Sequence, residues 1–429
     1  MVKSRIKKVA LGVLLGSLLL LLTGLPGVAK EIELRLLTSQ VGVHGEAGWC
    51  ADFVQAFNAE YAGRIKIVVD GVAEDSICQQ KLLTDAAADT MPDLFMIGAD
   101  VSKFNLLAQS GNVMPLNDYI KNDPVLKAKL AATDANTLAG YTDVNGNILG
   151  IPYTRPYIGT FYNTELFARA GIAGFPTTWN GFFTACDKLL AARITPIAMM
   201  TVGNAWCSML LLSNMIGTSP EGMKWLATKP ENQKLDVPVF IDAVRMLQTV
   251  LNKYTTIDAI GADYGVAANH FLQGNVAMIV NGPWMVASFS DPKSAPAGFE
   301  AKVKYALAPG NGLIATGGAG WGSGAKGEKR DAAVEALKFL LSQDVYGAYL
   351  SLTGQIPCAA VDISQVTYPR ITQEFAPLAK AATYKYSYFS TAVKPAVTNA
   401  LPQFLPGLAD LSMSPEVFAL KLELVNEAN

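Results

Sequence analysis

Charged and histidine side chains are scarce in this sequence. Lys, Arg, Asp and Glu make up 16% of its 429 residues, below the roughly 25% usual for soluble domains. The formal net charge is −2 and the sequence pI is about 5.8, so no basic excess is available to hold phosphates, and we expect no nucleic-acid partner. His44 and His270 are the two histidines and no Cys-x-x-Cys occurs, so we expect neither a metal site nor a cofactor.

Motifs for nucleotide binding and for hydrolysis are also missing. No Gly-Lys-Ser/Thr completes a Walker A loop, and no Gly-x-Ser-x-Gly supports a lipase-type nucleophile. A Gly-x-Gly-x-x-Gly does occur at 322–327, but no clear strand leads into it and Lys326 interrupts it. Glu46, Asp100 and Glu165 stay open as acids for glycoside cleavage, because such carboxylates need only meet in space.

Beyond its N-terminus the sequence has no apolar run long enough for a bilayer, which needs about 20 residues. The run Val9–Leu22 is about 14 residues long and is followed by small residues before Lys30, which predicts a signal peptide over 1–29. Basic residues precede this run at Lys3, Arg5, Lys7 and Lys8. An uncleaved anchor is the alternative. No Cys follows the run, so no lipid anchor is indicated and we expect a periplasmic protein.

Five cysteines in an exported chain suggest disulfides with one thiol left over. Cys50 and Cys78 each lie near the start of a predicted helix, and Cys186 and Cys207 lie in neighbouring predicted helices. We predict the pairs Cys50–Cys78 and Cys186–Cys207, with Cys358 free. Sequence does not fix the connectivity, and buried free thiols are the alternative.

Apolar runs alternate with helical patterns along the mature chain, which predicts an α/β fold with mainly parallel sheets. About 400 residues exceed what one core usually serves, so we expect two domains. Strands are predicted at Ile32–Leu37, Ile65–Val69, Pro92–Ile97, Ile158–Tyr162 and Pro196–Met200. Helices are predicted near 48–61, 76–88, 178–190, 205–216 and 239–252, and Asn145-Gly146 predicts a hairpin rather than a calcium loop.

Two tryptophans follow turns instead of lying on helix stripes. Trp284 ends Phe271–Trp284 (FLQGNVAMIVNGPW), and Trp321 ends the glycine run Gly317–Trp321 (GGAGW). Trp49 and Trp206 begin predicted helices, where loops of α/β folds face clefts. Exposed aromatic rings suit a flat-faced ligand such as a sugar, whose C–H side packs on them. A role in core packing is the alternative for each, and we assign Trp179 and Trp225 to packing.

Several motifs resemble, in order, those of the family 1 extracellular solute-binding proteins, the maltose-binding-protein-like sugar receptors of ATP-driven importers. They are Pro92-Asp93-Leu94-Phe95, then Gly150-Ile151-Pro152-Tyr153 with Phe161–Phe167, then Phe175–Trp179, Phe271–Trp284, and Gly317-Gly318 with Trp321, Ala332–Leu341 and Gly354–Pro357. The usual Asn-Lys-Asp is Asn163-Thr164-Glu165 in this chain, and the cysteines are not a family constant. The resemblance covers nearly all of the mature sequence.

The resemblance implies a two-lobed periplasmic-binding-protein fold, with a multi-crossover hinge and a sugar bound in the cleft. One lobe would comprise 30–152 with 320–352, and the other 153–319 with 353–429. The implied cleft residues are Asp100, Trp206, Trp284 and Trp321, joined by Glu46, Trp49, Arg155 and Asn204. Asp100 would accept sugar hydroxyls, Arg155 and Asn204 would donate, and the tryptophans would stack.

The implied function is that of a monomeric receptor, not an enzyme, which hands a mono- or small oligosaccharide to the membrane permease subunits of an ABC importer. Two alternatives stay open. One is a secreted glycoside hydrolase, which would consume the sugar. The other is a related receptor for a polyol phosphate or a polyamine, although the modest charge content favours a neutral sugar.

Overall fold

The alternation of apolar and amphipathic segments is reproduced as alternating strands and helices. The computed structural model describes residues 30–42, 44–97, 101–315 and 318–428. The predicted signal peptide (1–29) and Asp100 lie outside the described residues. None of the helices in these ranges combines the length and the apolar character needed to cross a bilayer.

The described residues form short strands, several of only two to four residues. In chain order they are β1 (Ile32–Thr38), β2 (Ile65–Gly71), β3 (Leu94–Ile97), β4 (Gly150–Pro152), β5 (Thr154–Arg155), β6 (Tyr157–Asn163), β7 (Thr195–Ile197), β8 (Val276–Asn281), β9 (Val303–Ala306), β10 (Gly312–Ala315), β11 (Gly320–Gly322), β12 (Ile356–Pro357) and β13 (Tyr384–Tyr386).

Helices connect and cover these strands. They are α1 (Ala47–Glu60), α2 (Asp75–Ala87), α3 (Val101–Gln109), α4 (Asn117–Asn122), α5 (Pro124–Leu130), α6 (Ala135–Ala139), α7 (Thr164–Arg169), α8 (Trp179–Ala191), α9 (Trp206–Gly217), α10 (Pro220–Leu226), α11 (Pro238–Thr249), α12 (Tyr264–Leu272), α13 (Phe299–Lys302), α14 (Lys329–Leu340), α15 (Gln343–Thr353), α16 (Arg370–Ala381), α17 (Phe389–Ala392), α18 (Pro395–Ala409) and α19 (Pro415–Ala428). A 3₁₀ helix spans Pro283–Phe289, and a π turn, Val250–Tyr254, extends α11.

The predicted elements are confirmed to within a few residues. The Thr178 side chain accepts a hydrogen bond from the Gly181 amide at 3.1 Å, so it caps α8 as its position before Trp179 predicts. At Asn145-Gly146 the chain does reverse, but Thr142 and Ile148 form a single bridge pair in place of two strands. The Asp143 carboxylate accepts the amides of Asn145 and Asn147, each at 2.8 Å, which holds this turn together.

The strands form two separate main sheets. The first has the order β2-β1-β3-β11-β4, and the second has the order β13-β10-β6-β8-β7, with β9 also pairing with β6. With helices against both sheets, this is the two-lobed α/β periplasmic-binding-protein fold that the sequence predicts. The division of the chain at 152/153, 319/320 and 352/353 remains a prediction.

Both sheets are mixed, where mainly parallel sheets were expected. β1 pairs in parallel with β2 and β3, and β8 with β7, as strands joined through helices do. β11 is antiparallel to β3 and β4, and β6 is antiparallel to β8, β9 and β10. β4, β6, β10 and β11 adjoin the segments that run directly from one sheet to the other. The polypeptide passes from the first sheet to the second through β4 and β6 and returns through β10 and β11, so in each sheet the outgoing strand is antiparallel to the returning one.

Apolar clusters cover both faces of the first sheet. Leu34 and Leu36 of β1 belong to the cluster that contains α1 and α14, whereas Leu37 belongs to a second cluster with Phe95. Successive residues of a strand point to opposite faces, so these clusters lie on opposite sides of the sheet. The second sheet likewise divides its apolar residues between two clusters, with Tyr162 in one and Phe161 in the other.

This layering shows that the predicted disulfides are wrong. All five cysteines are free and buried. Cys50 belongs to the cluster of Leu34 and Cys78 to that of Leu37, so the first sheet separates them. Cys186 and Cys207 likewise belong to the two different clusters of the second sheet. Helix order along the chain suggested proximity, but consecutive helices pack on different faces.

Three chain segments that run between the sheets meet at one place, which we call the junction. β5 pairs with β12, with Thr154 opposite Pro357. The amides of Tyr153 and Thr154 both donate to the carbonyl of Ala319, at 2.9 and 3.1 Å. A Cβ added to Gly318 would overlap the Thr154 carbonyl. Only glycine at 318 therefore allows the segments to approach this closely.

We expect Gly318→Ala to lower the free energy of unfolding by at least about 2 kcal/mol, because the new methyl group must push the β5 backbone aside. Chemical denaturation measures the loss. Gly174→Ala is the matched control, since a Cβ at Gly174 meets no atom within 4 Å. Equal stability of the two variants would show that the junction is not packed this tightly.

We expect the folded protein to react slowly with a thiol reagent at pH 8, because burial raises the thiol pKa to about 11 for Cys50 and Cys358 and to about 12 for Cys78. The thiolate is the reactive form, so little of it is present at that pH. In denaturant without reductant, all five thiols should react. If only one thiol reacted in denaturant, the two predicted disulfides would be present after all.

Candidate functional site

Three aromatic side chains lie side by side on the second sheet's side of the molecule, and we call them the aromatic wall (Trp206, Tyr264 and Trp284). The ring centroids of Trp206 and Tyr264 are 4.8 Å apart, and those of Trp206 and Trp284 are 5.8 Å apart. All three side chains are partly exposed. The Tyr264 and Trp284 rings are inclined to the Trp206 ring by 43° and 62°, so the wall presents partly exposed aromatic faces in different orientations, on which a ligand can stack.

Local backbone features set the positions of these rings. Trp206 and Tyr264 are the first residues of α9 and α12, and Trp284 lies in the first turn of the 3₁₀ helix. Ala205 has a φ of 51°, so the chain turns sharply just before Trp206. A Cβ on Gly282 would overlap the Trp284 ring, so this ring lies directly on the Gly282 backbone.

Asn204 belongs to the same turn as Trp206. Its side-chain oxygen Oδ1 is buried and has no hydrogen-bond partner among the described residues. A buried acceptor without a donor costs roughly 1–3 kcal/mol. A ligand that donates a hydrogen bond would remove that cost.

Glu46 precedes α1 on the first sheet's side and is 2% exposed. Its carboxylate accepts hydrogen bonds from Gln40 Nε2 and, at 3.0 Å, from the Tyr349 hydroxyl. Burial raises the pKa of this carboxyl group, while His44, Gln40 and Tyr349 counteract the rise. Gln40 is itself fully buried, and its oxygen Oε1 has no partner in the described part of the chain.

The Glu46 loop meets the segment that carries Trp284. A Cβ on Gly45 would lie 2.9 Å from Ser288 Oγ and 3.4 Å from the carbonyl oxygen of Trp284. Glu46 is also close enough to Tyr264 to contribute, after burial and Cys207, to raising the pKa of that tyrosine. The Glu46 loop therefore packs against the segment that carries Trp284, one ring of the aromatic wall.

Trp49 and Trp321 are enclosed in the packing of the first sheet's side. Trp49 is 7% exposed, stacks edge-on against Tyr349 at 4.7 Å, and donates its indole N–H to the Val345 carbonyl at 3.1 Å. Trp321 is 1% exposed in β11 and packs edge-on against Tyr153 at 6.2 Å. Its indole nitrogen has no partner among the described residues. The structure thus divides the four tryptophans into two partly exposed rings and two enclosed ones.

Arg155 lies at the junction in β5. Its Nη1 is 3.1 Å from the Asp134 carboxylate, and both side chains are more than a third exposed. Its Nε is buried without a partner among the described residues. No contact in the described part of the chain joins Arg155 to the aromatic wall. Asp100, also predicted for the cleft, lies outside the described residues.

Several residues beside the aromatic wall and Glu46 were not predicted from the sequence. Tyr264 follows the helix cap Asp263, which accepts the Val266 amide at 3.0 Å, so it carries the same signal that singled out Trp206. Gln40 follows the carboxyl end of β1, where side chains of α/β folds face ligands. Tyr349 lies inside α15 and no local pattern distinguishes it.

Two hollows lie elsewhere. A surface groove of about 560 Å³ lies between α5 and residues 360–362, and Val125, Lys129 and Gln343 help to line it. A hollow of about 20 Å³, the size of one water molecule, lies at the end of β1 beside Thr38, Ser39 and Met96. Neither contains a residue of the aromatic wall.

Known proteins resemble this chain in sequence and in fold. A chitin oligosaccharide binding protein superposes with a TM-score of 0.80 at 25% identity, over 93% of this chain and 99% of its own. Maltose-bound MalE3 of T. maritima superposes with a TM-score of 0.74 at 18% identity, over 92% of this chain and 99% of its own.

Sequence relatives match over shorter stretches. A maltotriose-binding protein of Pyrococcus abyssi is 24% identical over 201 residues, which are 47% of this chain and 39% of that protein. The matched stretch thus spans only about two fifths of the relative's own length.

The family model for bacterial extracellular solute-binding proteins matches residues 45–346. That range holds most of both sheets, the first two segments of the junction, the Glu46 loop and the whole aromatic wall. The chain belongs to the bacterial extracellular solute-binding proteins.

Proposed function

We propose that this protein is an extracytoplasmic receptor, which binds a mono- or small oligosaccharide in the gap between its lobes and delivers it to an ATP-driven importer. The observation that carries the proposal is the pairing of a partly exposed aromatic wall with hydrogen-bond acceptors that lack donors. A sugar ring complements both, because its C–H face packs on aromatic rings while its hydroxyls donate hydrogen bonds.

The acceptors lie on both sides of the gap. Asn204 Oδ1 adjoins the aromatic wall, and Gln40 Oε1 lies beside Glu46 on the opposite side. The Glu46 carboxylate has further lone pairs beyond the two hydrogen bonds that it already accepts. Hydroxyl groups that reach these oxygens would satisfy buried groups that are otherwise unpaired, and such pairing favours sugars over molecules without donors.

The relatives support the sugar class without selecting one sugar. Their names refer to chitin oligosaccharide, maltose and maltotriose, which differ in substituents and in linkage. The aromatic wall offers three partly exposed rings in different orientations, which gives more than one sugar ring a stacking partner. This supports a small oligosaccharide as well as a monosaccharide.

A receptor of this kind needs a ligand that closes it. A sugar held by the aromatic wall and by the Glu46 side together would stabilise the closed arrangement, since only a ligand with different affinities for two states shifts their balance. Gly45 lies close to Ser288 and Trp284, which allows both sides to hold the same sugar. The importer's permease subunits would then bind the closed form, and no covalent step is required.

A thermal-shift screen of the chain from Lys30 onward tests the proposal against sugars, polyols, sugar phosphates and amines. A ligand at a hundred times its Kd should stabilise the folded form by about 2.7 kcal/mol, which raises Tm visibly. We expect a shift with a neutral sugar that is recovered chemically unchanged. Cleaved sugar would instead indicate the glycoside hydrolase, and a shift with phosphates or amines alone would indicate a receptor for a different solute.

We expect Trp284→Ala to weaken binding of that sugar by roughly ten- to a hundredfold, since one stacking ring contributes on the order of 1–3 kcal/mol. Isothermal titration calorimetry measures the change. Trp179→Ala is the matched control, because Trp179 is also partly exposed but packs against Phe182, away from the wall. The stacking role fails if Trp284→Ala binds like the unaltered protein, or if both variants lose affinity equally.

A further inference from the structure

A chain of buried hydrogen bonds runs from Glu46 to the junction. The Tyr349 hydroxyl donates to Glu46 Oε1 at 3.0 Å and accepts from Gln355 Nε2 at 3.2 Å. The Thr154 hydroxyl donates to Gln355 Oε1 at 2.7 Å. Glu46, Tyr349, Gln355 and Thr154 are each at most 3% exposed. Residues more than 300 positions apart in sequence are thus joined without contact with solvent.

All donors in this series of hydrogen bonds point towards Glu46. Thr154 donates to Gln355, Gln355 to Tyr349, and Tyr349 to Glu46, so the positive end of every dipole faces the carboxylate. Hydrogen bonds in series polarise one another, which strengthens the last one. The arrangement favours ionised Glu46 and opposes the rise in pKa that burial produces.

The hydrogen-bond series begins at the junction. Thr154 lies in β5, where its amide donates to the Ala319 carbonyl and its neighbour across β12 is Pro357. Gln355 directly precedes β12. Both residues therefore belong to segments that connect the two sheets, and they hold their positions through backbone pairing.

The other end of the hydrogen-bond series is Glu46, which faces groups from several elements. His44 belongs to its own loop, Cys50 to α1 and Tyr349 to α15. Asp75 comes from α2, Tyr153 precedes β5, and Tyr264 comes from the aromatic wall. His44 is the one basic side chain in this set, and its effect is to lower the pKa of Glu46. Tyr349 is the member of the set that donates a hydrogen bond to the carboxylate and is itself fully buried.

We propose that Tyr349 is a positioning residue: its hydroxyl, oriented by Gln355 and Thr154, holds Glu46 as an ionised hydrogen-bond acceptor for the ligand. This inference rests on the proposed function for the identity of the ligand. A hydroxyl donor of the sugar meets a stronger acceptor in a carboxylate than in a carboxylic acid, because the hydrogen bond to a charged oxygen is stronger. The junction thereby influences the ionisation of a group that belongs to the proposed ligand site.

The direct test is the pH titration of Glu46 in the ligand-free chain from Lys30 onward. The carboxyl carbons of glutamate are labelled with ¹³C, and the Glu46 resonance is identified by its absence in Glu46→Gln. We expect the titration midpoint of Glu46 to lie at higher pH in Tyr349→Phe than in the unaltered protein, because the variant lacks the donor that favours the ionised form. Gln355→Leu should shift it in the same direction and by less.

Tyr346→Phe is the matched control. Tyr346 is a buried tyrosine in the same helix, and its hydroxyl bonds the backbone of Tyr153 and Cys358 instead of Glu46. Its loss should leave the Glu46 midpoint unchanged. The inference is overturned if Tyr349→Phe titrates like the unaltered protein, or if Tyr346→Phe produces the same shift.

Sugar binding supplies the second readout. Affinity should fall as pH decreases through the Glu46 midpoint, and the fall should begin at higher pH in Tyr349→Phe. At a pH between the two midpoints we expect roughly tenfold weaker binding than in the unaltered protein. If Tyr349→Phe lost affinity by the same factor at every pH, the role of Tyr349 would be packing and not control of Glu46 ionisation. Failure of the unaltered protein to bind any sugar would refute the proposed function, while the ligand-free titration would still decide the role of Tyr349.

Discussion

Close backbone packing at the junction is the constraint on which the rest of the molecule depends. Three segments from distant parts of the sequence meet where Gly318 lies against the Thr154 carbonyl and where β5 pairs with β12. These contacts determine how the two sheets face one another. They therefore also determine whether the Glu46 loop can reach the 3₁₀ helix that carries Trp284. The proposed ligand site, with the aromatic wall on one side and Glu46 on the other, depends on the junction for this approach.

The two sides of the gap are built by different means. The aromatic wall is local, because each ring lies within the first turn of a helix. The acceptor side depends in part on contacts that are distant in sequence, since Glu46 accepts from a tyrosine of α15, which in turn accepts from a glutamine near β12. A substitution near the wall changes one ring, whereas a substitution in α15 or at the junction acts on Glu46 through intermediate residues.

Local patterns predicted the elements well and their arrangement less well. Periodicity and capping located β1, α1 and α8, because those signals reside in neighbouring residues.

The cysteine pairs were wrong because sequence order does not reveal which face of a sheet a helix covers. Trp206 and Trp284 were predicted from helix-start and turn positions, and their ring centroids lie 5.8 Å apart. Their role in binding stays a prediction, as does that of Asn204 and Glu46, which the family resemblance implies. Trp49 also lies at a helix start, but its side chain is enclosed. A helix-start position does not reveal whether a neighbouring helix will cover the side chain. The path from Thr154 to Glu46 could not be predicted, because each of its bonds joins residues that only the tertiary fold brings together.

The Trp284 ring lies on the Gly282 backbone, and this contact limits the conformational entropy that the side chain would lose when a ligand binds. The indole ring lies against the bare backbone of the preceding glycine and packs on Trp206, so its orientation is already restricted before any ligand arrives. Immobilising a flexible side chain at an interface costs roughly 0.5–1.5 kcal/mol, and a ring that is already immobile avoids most of that cost. If Trp284 stacks on the ligand as proposed, the glycine contributes to affinity through entropy, although it offers no side chain with which to touch the ligand.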